Sequence, residues 1–100
     1  MKNKTVLITG ASSGFGKAIA EAFAKKGSRL IIAARRSAKL KETANELKKK
    51  FKTEVLTITL DVRKKNEVAK AVKSLPVKWR DIDILVNNAG LSRGLDKVHE

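Results

Sequence analysis

The sequence predicts an α/β fold in which a parallel sheet lies between two layers of helices. Four short apolar segments alternate with three longer segments whose apolar residues recur at helical spacing. The connections between these segments are short, and a glycine-rich turn follows the first of them. Strands and helices that alternate in this way form right-handed β-α-β units, which make neighbouring strands parallel.

The first two strands and helices follow one another with little chain between them. Residues 5–9 form a continuous apolar and β-branched run without alternation, which is typical of a strand buried on both faces. A helix is predicted over residues 14 to about 26, with Gly27 as its C-terminal stop. Residues 29–34 are the second predicted strand, and Ser37 is expected to cap the next helix. The apolar face of that helix carries Leu40, Ala44, Leu47 and Phe51.

The second half of the chain continues the alternation. Residues 54–60 and 82–86 are predicted as the third and fourth strands. Between them lies a helix that Pro76 is expected to end. Its apolar positions are Val68, Ala69, Val72 and Leu75. This order of elements predicts the strand order 3-2-1-4, a truncated half of a doubly wound domain of the Rossmann type, with ligands at the carboxyl ends of the strands.

The composition excludes several classes of protein. One hundred residues suffice for one small domain, and we take residues 1–100 as that unit. No apolar run approaches the roughly 20 residues of a membrane span, and the first residues lack the pattern of a signal peptide, so we expect no membrane partner and a cytoplasmic location. Cysteine is absent, which excludes disulfides, a thiolate nucleophile and a cysteine-based metal site. A redox function would therefore need a cofactor.

The net charge of +13 raises the question of a polyanionic partner such as nucleic acid. The lysines, however, are interleaved with alanine, leucine and glutamate at helical spacing, which is typical of solvated helix faces. We therefore expect no nucleic-acid partner and keep a basic nucleic-acid-binding α/β protein as a less favoured alternative.

A glycine-rich loop joins the first strand to the first helix. Its residues are Thr9, Gly10, Ala11, Ser12, Ser13, Gly14, Phe15, Gly16 and Lys17. A nucleoside-triphosphate loop needs four residues between its first glycine and Gly-Lys-Ser/Thr, whereas five separate Gly10 from Gly16, and Ala18 replaces the magnesium-binding hydroxyl. The spacing also differs from G-x-G-x-x-G, but Gly10 still lets the chain leave the strand. Gly14 and Gly16 let backbone approach a pyrophosphate at the positive end of the helix, which predicts a dinucleotide site.

The end of the second strand indicates which dinucleotide is bound. A protein that binds NAD usually carries Asp or Glu there, about 20 residues past the glycines, to bind the ribose hydroxyls. This chain carries Arg35 and Arg36 instead. A guanidinium offers a planar fork of donors to a phosphate, whereas a carboxylate would repel it, so these residues favour NADP over NAD.

Polar residues follow the third and fourth strands at the same edge of the predicted sheet. Asp61 either accepts a hydrogen bond from an adenine amino group or caps the third helix, and the two interpretations are compatible. Asn87 and Asn88 either bridge backbone between strands or contact the cofactor, before Gly90 relaxes the chain.

These motifs together resemble the short-chain dehydrogenase/reductase family. Its pattern Thr-Gly-x-x-x-Gly-x-Gly stands at residues 9–16, its Asp-Val at Asp61 and Val62, and its Asn-Asn-Ala-Gly at residues 87–90. A closer likeness, in residues 75–85 and in Gly14-Phe15-Gly16, is to NADP-dependent 3-hydroxy acid dehydrogenases that oxidise serine, allo-threonine and similar small β-hydroxy acids.

The resemblance implies a role for each matching residue. Residues 10–15 would wrap the phosphates, Arg35 and Arg36 would take the 2′-phosphate, and Asp61 with Val62 would frame the adenine. Asn88 would meet the ribose region. The full set of cofactor-binding candidates is Gly10, Ala11, Ser12, Ser13, Gly14, Phe15, Gly16, Arg35, Arg36, Asp61, Val62, Asn88, Ala89 and Gly90.

The resemblance also implies what the chain lacks. Family catalysis uses Ser, Asn and a Tyr-x-x-x-Lys pair beyond residue 100, and this chain contains no tyrosine, so no catalytic residue is expected within it. We therefore predict a truncated, NADP-binding N-terminal part of an oxidoreductase that acts on a small hydroxy acid or carbonyl substrate, in a homodimer or homotetramer. A non-catalytic NADP-binding or sensing module is the alternative.

Overall fold

A computed structural model describes residues 4–10, 14–61 and 65–87 of the chain. Strands and helices alternate along these residues as the sequence predicts. The elements are β1 (Thr5–Thr9), α1 (Gly14–Lys25), β2 (Arg29–Ala34), α2 (Ser37–Phe51), β3 (Val55–Thr59), α3 (Lys65–Lys73), α4 (Val77–Arg80) and β4 (Ile84–Asn87). None of the helices in the described ranges is long and apolar enough to span a membrane.

The four strands form one parallel sheet with the order β3-β2-β1-β4, which confirms the predicted order. Leu7 at the middle of β1 is in register with Ile31 of β2 and with Leu85 of β4. The strands therefore end at a common edge, where the segments after β1, β2, β3 and β4 all begin.

Apolar side chains cover both faces of the sheet. Val6, Ile8 and Ile32 belong to a cluster with residues of α1 and α2, whereas Leu7 and Ile31 belong to a second cluster with Leu75 and Trp79. Neighbouring residues of a strand point to opposite faces, so a strand covered on both sides carries apolar residues at consecutive positions. Burial of both faces therefore explains the continuous apolar runs in β1 and β2.

The C-terminal end of α1 has the predicted glycine stop. Gly27 has a φ of 85°, in the left-handed region that glycine adopts without steric cost. The Ser28 N–H donates to the Phe23 carbonyl at 3.2 Å, and the Gly27 N–H donates to the Ala24 carbonyl at 3.0 Å. These two bonds are those of a Schellman motif, which satisfies carbonyls at the helix end.

The start of α2 differs from the prediction. Arg36, not Ser37, is the N-cap residue: it has extended angles of φ −97° and ψ 104°, and its side chain makes no capping hydrogen bond. β2 continues to Ala34, which leaves only two residues for the turn and makes Ser37 the first helical residue.

The second half of the chain departs from the prediction around α4. The sequence pattern does not predict this short helix, in which the Trp79 N–H donates to the Pro76 carbonyl at 2.8 Å. The chain still turns at Ile82, whose N–H donates to the Arg80 carbonyl at 3.0 Å, so β4 begins at Ile84 and not at residue 82. β3 is one residue shorter at each end than predicted.

Candidate functional site

The candidate site lies at the carboxyl edge of the sheet. Thr9, the last residue of β1, is in register with Ala33 of β2 and with Asn87 of β4. The Thr9 hydroxyl is buried and donates to the Val86 carbonyl at 3.4 Å, which ties the ends of β1 and β4 together. The glycine-rich loop and the Arg35–Arg36 turn therefore leave the sheet from adjacent strands at the same edge.

The described glycines of the loop occupy three different environments. Gly10 has a φ of 66°, which a side chain would strain, and this turn directs the chain off β1. Gly14 is exposed, and apart from its chain neighbours and the backbone of its own helix, no atom of the described residues lies within 4 Å of the place where a Cβ would stand. Gly16 is buried in the first turn of α1. Ala11, Ser12 and Ser13 lie outside the described residues.

The N-terminus of α1 suits an anion. The first turn of this twelve-residue helix carries no acidic side chain. The first N–H groups of a helix have no partner within it, and the helix dipole places partial positive charge there. Phe15 in this turn is 61% exposed, so the helix presents an apolar ring beside its polar end. Since protein packing does not fill the space at Gly14, a ligand phosphate can approach the backbone there.

Two guanidinium groups stand at the neighbouring turn. Arg35 and Arg36 are both exposed, and neither forms an ion pair with any residue that the structure describes. The Arg36 carbonyl accepts the Leu40 N–H at 3.0 Å, which holds the backbone of the turn against α2. The backbone is therefore anchored while the cationic ends stay available for a phosphate.

Lys17, the last residue of the glycine-rich loop, forms an ion pair with α2. Its Nζ lies 2.5 Å from the Glu46 Oε2 of α2. The hydrogen bond to Glu46 raises the pKa of Lys17 above its ordinary value, and the same bond lowers the pKa of Glu46. The sequence alone does not predict this pair, because the two residues are far apart in the chain and meet only when α1 packs against α2.

The other predicted site residues are described only in part. The Asp61 N–H lies 3.5 Å from the Glu67 Oε1 of α3, so the end of β3 contacts this helix. Residues 62–64, among them Val62, lie outside the described residues, and capping of α3 by Asp61 stays a prediction. Asn88, Ala89 and Gly90 also lie outside them, so their roles stay predictions.

Comparison with known proteins connects this arrangement to a family. A family model described as short chain dehydrogenase matches residues 4–100. The chain is 48% identical over 99 residues to an NADP-dependent 3-hydroxy acid dehydrogenase of Schizosaccharomyces pombe and 40% identical over 95 residues to one of Escherichia coli K12. These matches cover 98% and 95% of this chain but only 38% and 37% of the two relatives. The chain therefore spans little more than a third of the length of these relatives.

Solved structures show the same fold with similar coverage. The crystal structure of L-sorbose reductase from Gluconobacter frateurii, complexed with NADPH and L-sorbose, matches with a TM-score of 0.83 and 44% identity over 90% of this chain and 34% of that one. Serine dehydrogenase from Escherichia coli matches with a TM-score of 0.72 and 37% identity over 81% of this chain and 36% of that one. Both likenesses support the sheet and helix arrangement described above.

Proposed function

Since the chain belongs to the short chain dehydrogenase family, we propose that it forms the cofactor-binding part of an NADP-dependent oxidoreductase. The observation that carries this proposal is the pair of exposed arginines, Arg35 and Arg36, beside the N-terminus of α1. Two anion sites on adjacent turns suit a ligand with a pyrophosphate and a separate 2′-phosphate. The NADP-dependent relatives and the reductase complexed with NADPH support the same cofactor.

The residues present fit NADP, and each would hold a different part of it. Gly10, Gly14 and the first N–H groups of α1 would bind the pyrophosphate, and Arg35 and Arg36 would bind the 2′-phosphate. Of the remaining candidates, Asp61 with Val62 would frame the adenine. The loop residues Ala11, Ser12, Ser13, Phe15 and Gly16 would line the phosphates, and Asn88, Ala89 and Gly90 would lie near the ribose. When bound, the cofactor supplies or accepts a hydride.

The proposed substrate is a small hydroxy acid or the corresponding carbonyl compound. This follows from the names of the relatives, which include 3-hydroxy acid dehydrogenases and a serine dehydrogenase. Protonation of the developing alkoxide needs an acid, and the chain contains no tyrosine. In this proposal residues 1–100 supply the half-domain that binds the cofactor. The acid would come from a region that corresponds to the part of the relatives not matched by residues 1–100. A homo-oligomer in the cytoplasm is part of the same proposal.

Replacement of both arginines tests the proposed cofactor. We expect Arg35→Ala with Arg36→Ala to raise the Kd for NADPH at least about ten-fold, because two charge-assisted contacts to the 2′-phosphate are lost. The Kd for NADH, which lacks that phosphate, should change little. Isothermal titration calorimetry with both cofactors measures the two effects.

The matched control removes two cations from the opposite end of α2. Lys48→Ala with Lys49→Ala lowers the net charge equally, since both lysines are exposed in the last turn. This control should keep the preference for NADPH. The proposal fails if the unsubstituted protein does not bind NADPH, or if the arginine variant retains the preference for NADPH over NADH.

A further inference from the structure

Two ion pairs connect α1 to α2. Lys17 Nζ lies 2.5 Å from Glu46 Oε2, and Lys50 Nζ lies 3.8 Å from Glu21 Oε2. The side chains of Lys17 and Glu46 are 37% and 47% exposed, so water only partly surrounds this pair. At 2.5 Å the first pair is a charge-assisted hydrogen bond with defined geometry, whereas the second is a looser contact between charges.

The closer pair joins the two helices that follow the two parts of the candidate site. Lys17 lies in the first turn of α1, directly after Gly16, and this helix end is the proposed pyrophosphate site. Glu46 lies on α2, the helix that begins directly after Arg36. Glu21 and Lys50 lie further along the same two helices. The Lys17–Glu46 pair is therefore the link nearest to the glycine-rich loop.

The structure of NADP makes the spacing between α1 and α2 important for its binding. In NADP the pyrophosphate and the 2′-phosphate belong to one adenosine unit, which limits the distance between them. The two protein sites can therefore bind both groups at once only if the distance between the sites matches. NADH presents only the pyrophosphate and does not depend on that separation. The relative position of α1 and α2 therefore affects the binding of NADPH more than that of NADH.

We propose that Glu46 is a positioning residue for NADP selectivity, which acts by holding Lys17 and so fixing α1 against α2. This inference rests on the proposed function. In this proposal Glu46 does not contact the cofactor. Its effect passes through the spacing between the first turn of α1 and the Arg35–Arg36 turn, which follow the adjacent strands β1 and β2.

The test is the ratio of the Kd values for NADH and NADPH in Glu46→Gln, measured by isothermal titration calorimetry. We expect this ratio to fall about two- to five-fold, which corresponds to the free energy of ion pairs at protein surfaces. Most of the change should be in the Kd for NADPH. If Glu46 had a merely structural role, its substitution would lower stability or weaken the binding of both cofactors equally, and the ratio would not change. Thermal unfolding monitored by circular dichroism shows whether the variant is folded.

Two further variants complete the experiment. Glu21→Gln removes the looser pair between the same helices and should leave the ratio unchanged. Lys17→Glu combined with Glu46→Lys restores the ion pair with reversed charges. It should restore the ratio, even if a carboxylate near the pyrophosphate weakens the binding of both cofactors.

The outcomes separate this inference from the proposed function. If the unsubstituted protein prefers NADPH and Glu46→Gln keeps the same ratio, the inference is wrong and the proposed function stands. The inference is equally wrong if Glu21→Gln lowers the ratio as much as Glu46→Gln, or if the charge-reversed pair does not restore it. If the unsubstituted protein binds no NADPH, the proposed function itself fails.

Discussion

At the scale of single residues, the glycines of the loop meet two different physical demands. Gly10 has a φ of 66°, and a left-handed backbone costs an L-residue about 1–2 kcal/mol. Gly14 belongs to α1, and open space surrounds the position of its absent Cβ. Gly10 is thus needed by the fold, whereas nothing in the described fold requires a glycine at residue 14. A bound phosphate would require one.

Gly14→Ala therefore separates folding from binding. The variant should melt at the same temperature as the unsubstituted protein or slightly above it, because alanine favours a helix over glycine. Its Kd for NADPH should rise about ten-fold or more, since the new Cβ occupies the approach to the backbone. Melting curves and cofactor titrations measure the two quantities.

Gly10→Ala is the matched comparison. It should lower the free energy of unfolding by about 1–2 kcal/mol, because alanine must adopt the positive φ. Undiminished NADPH binding by Gly14→Ala would contradict the role assigned to this glycine.

At the scale of secondary-structure elements, α4 is held against the amino edge of the sheet by charges and one aromatic ring. Trp79 is 8% exposed, and the Arg29 guanidinium lies 5.4 Å from its ring centroid. Lys78 Nζ lies 2.7 Å from Glu54 Oε2, just before β3, and 5.9 Å from the same ring. A cation over an aromatic face is attracted by the ring quadrupole. These contacts fasten a short helix that few backbone bonds stabilise.

The Glu54–Lys78 pair predicts an acid dependence of stability. The hydrogen bond from Lys78 lowers the pKa of Glu54 below its ordinary value. A carboxylate with a lowered pKa in the folded state stabilises the fold above its unfolded pKa, about 4.3, and this contribution is lost as the pH falls through the folded pKa. Stability should therefore decrease on acidification below about pH 4.3, and less so in Glu54→Gln.

Urea unfolding at a series of pH values between about 5 and 3 measures this dependence. Lys78→Met removes the largest cause of the lowered pKa of Glu54 and should reduce the pH dependence in the same direction. The two substitutions together should have no larger effect than either one. If the free energy of unfolding of Glu54→Gln depended on pH as steeply as that of the unsubstituted protein, the Glu54–Lys78 pair would not be responsible for the pH dependence.

At the scale of the whole molecule, the two faces of the sheet are covered unequally. α1 and α2 bury the face that carries Val86, which is 3% exposed. On the other face, the cluster around Trp79 includes Leu7 of β1 but not Leu85 of β4, which is 44% exposed. Among the described residues, β4 pairs only with β1. Within the described ranges β4 thus has no strand on its other side, and Leu85 is exposed, and both features favour association with other chains.

The chain of one hundred residues should therefore self-associate, and Leu85→Ser should weaken that association. Sedimentation equilibrium at increasing concentration measures the average mass. Val77→Ser is the control, because Val77 is 77% exposed but lies on α4 and not on β4. An equal reduction of the average mass by both substitutions would contradict a role for the β4 surface.

The sequence predicted most of the fold because most of its information is local. Residues 5–9 and 29–34 are strands in the structure with the same bounds, and Gly27 ends α1 as expected. Each of these features depends on the residue itself and on its chain neighbours. The helix α4 was missed because four residues carry too little periodicity, and its stability depends on Arg29 and Glu54, which lie far from it in the chain.

The sequence also indicates a candidate site, and the roles of its residues stay predictions. The glycine spacing and the arginines after β2 are enough to indicate an NADP site from the sequence alone, because backbone freedom and charge belong to the residue types themselves. That Lys17 pairs with Glu46 and that Leu85 is exposed was decided only by the tertiary structure. These features depend on how helices and strands from distant parts of the sequence pack together, and a local pattern contains no information about that packing.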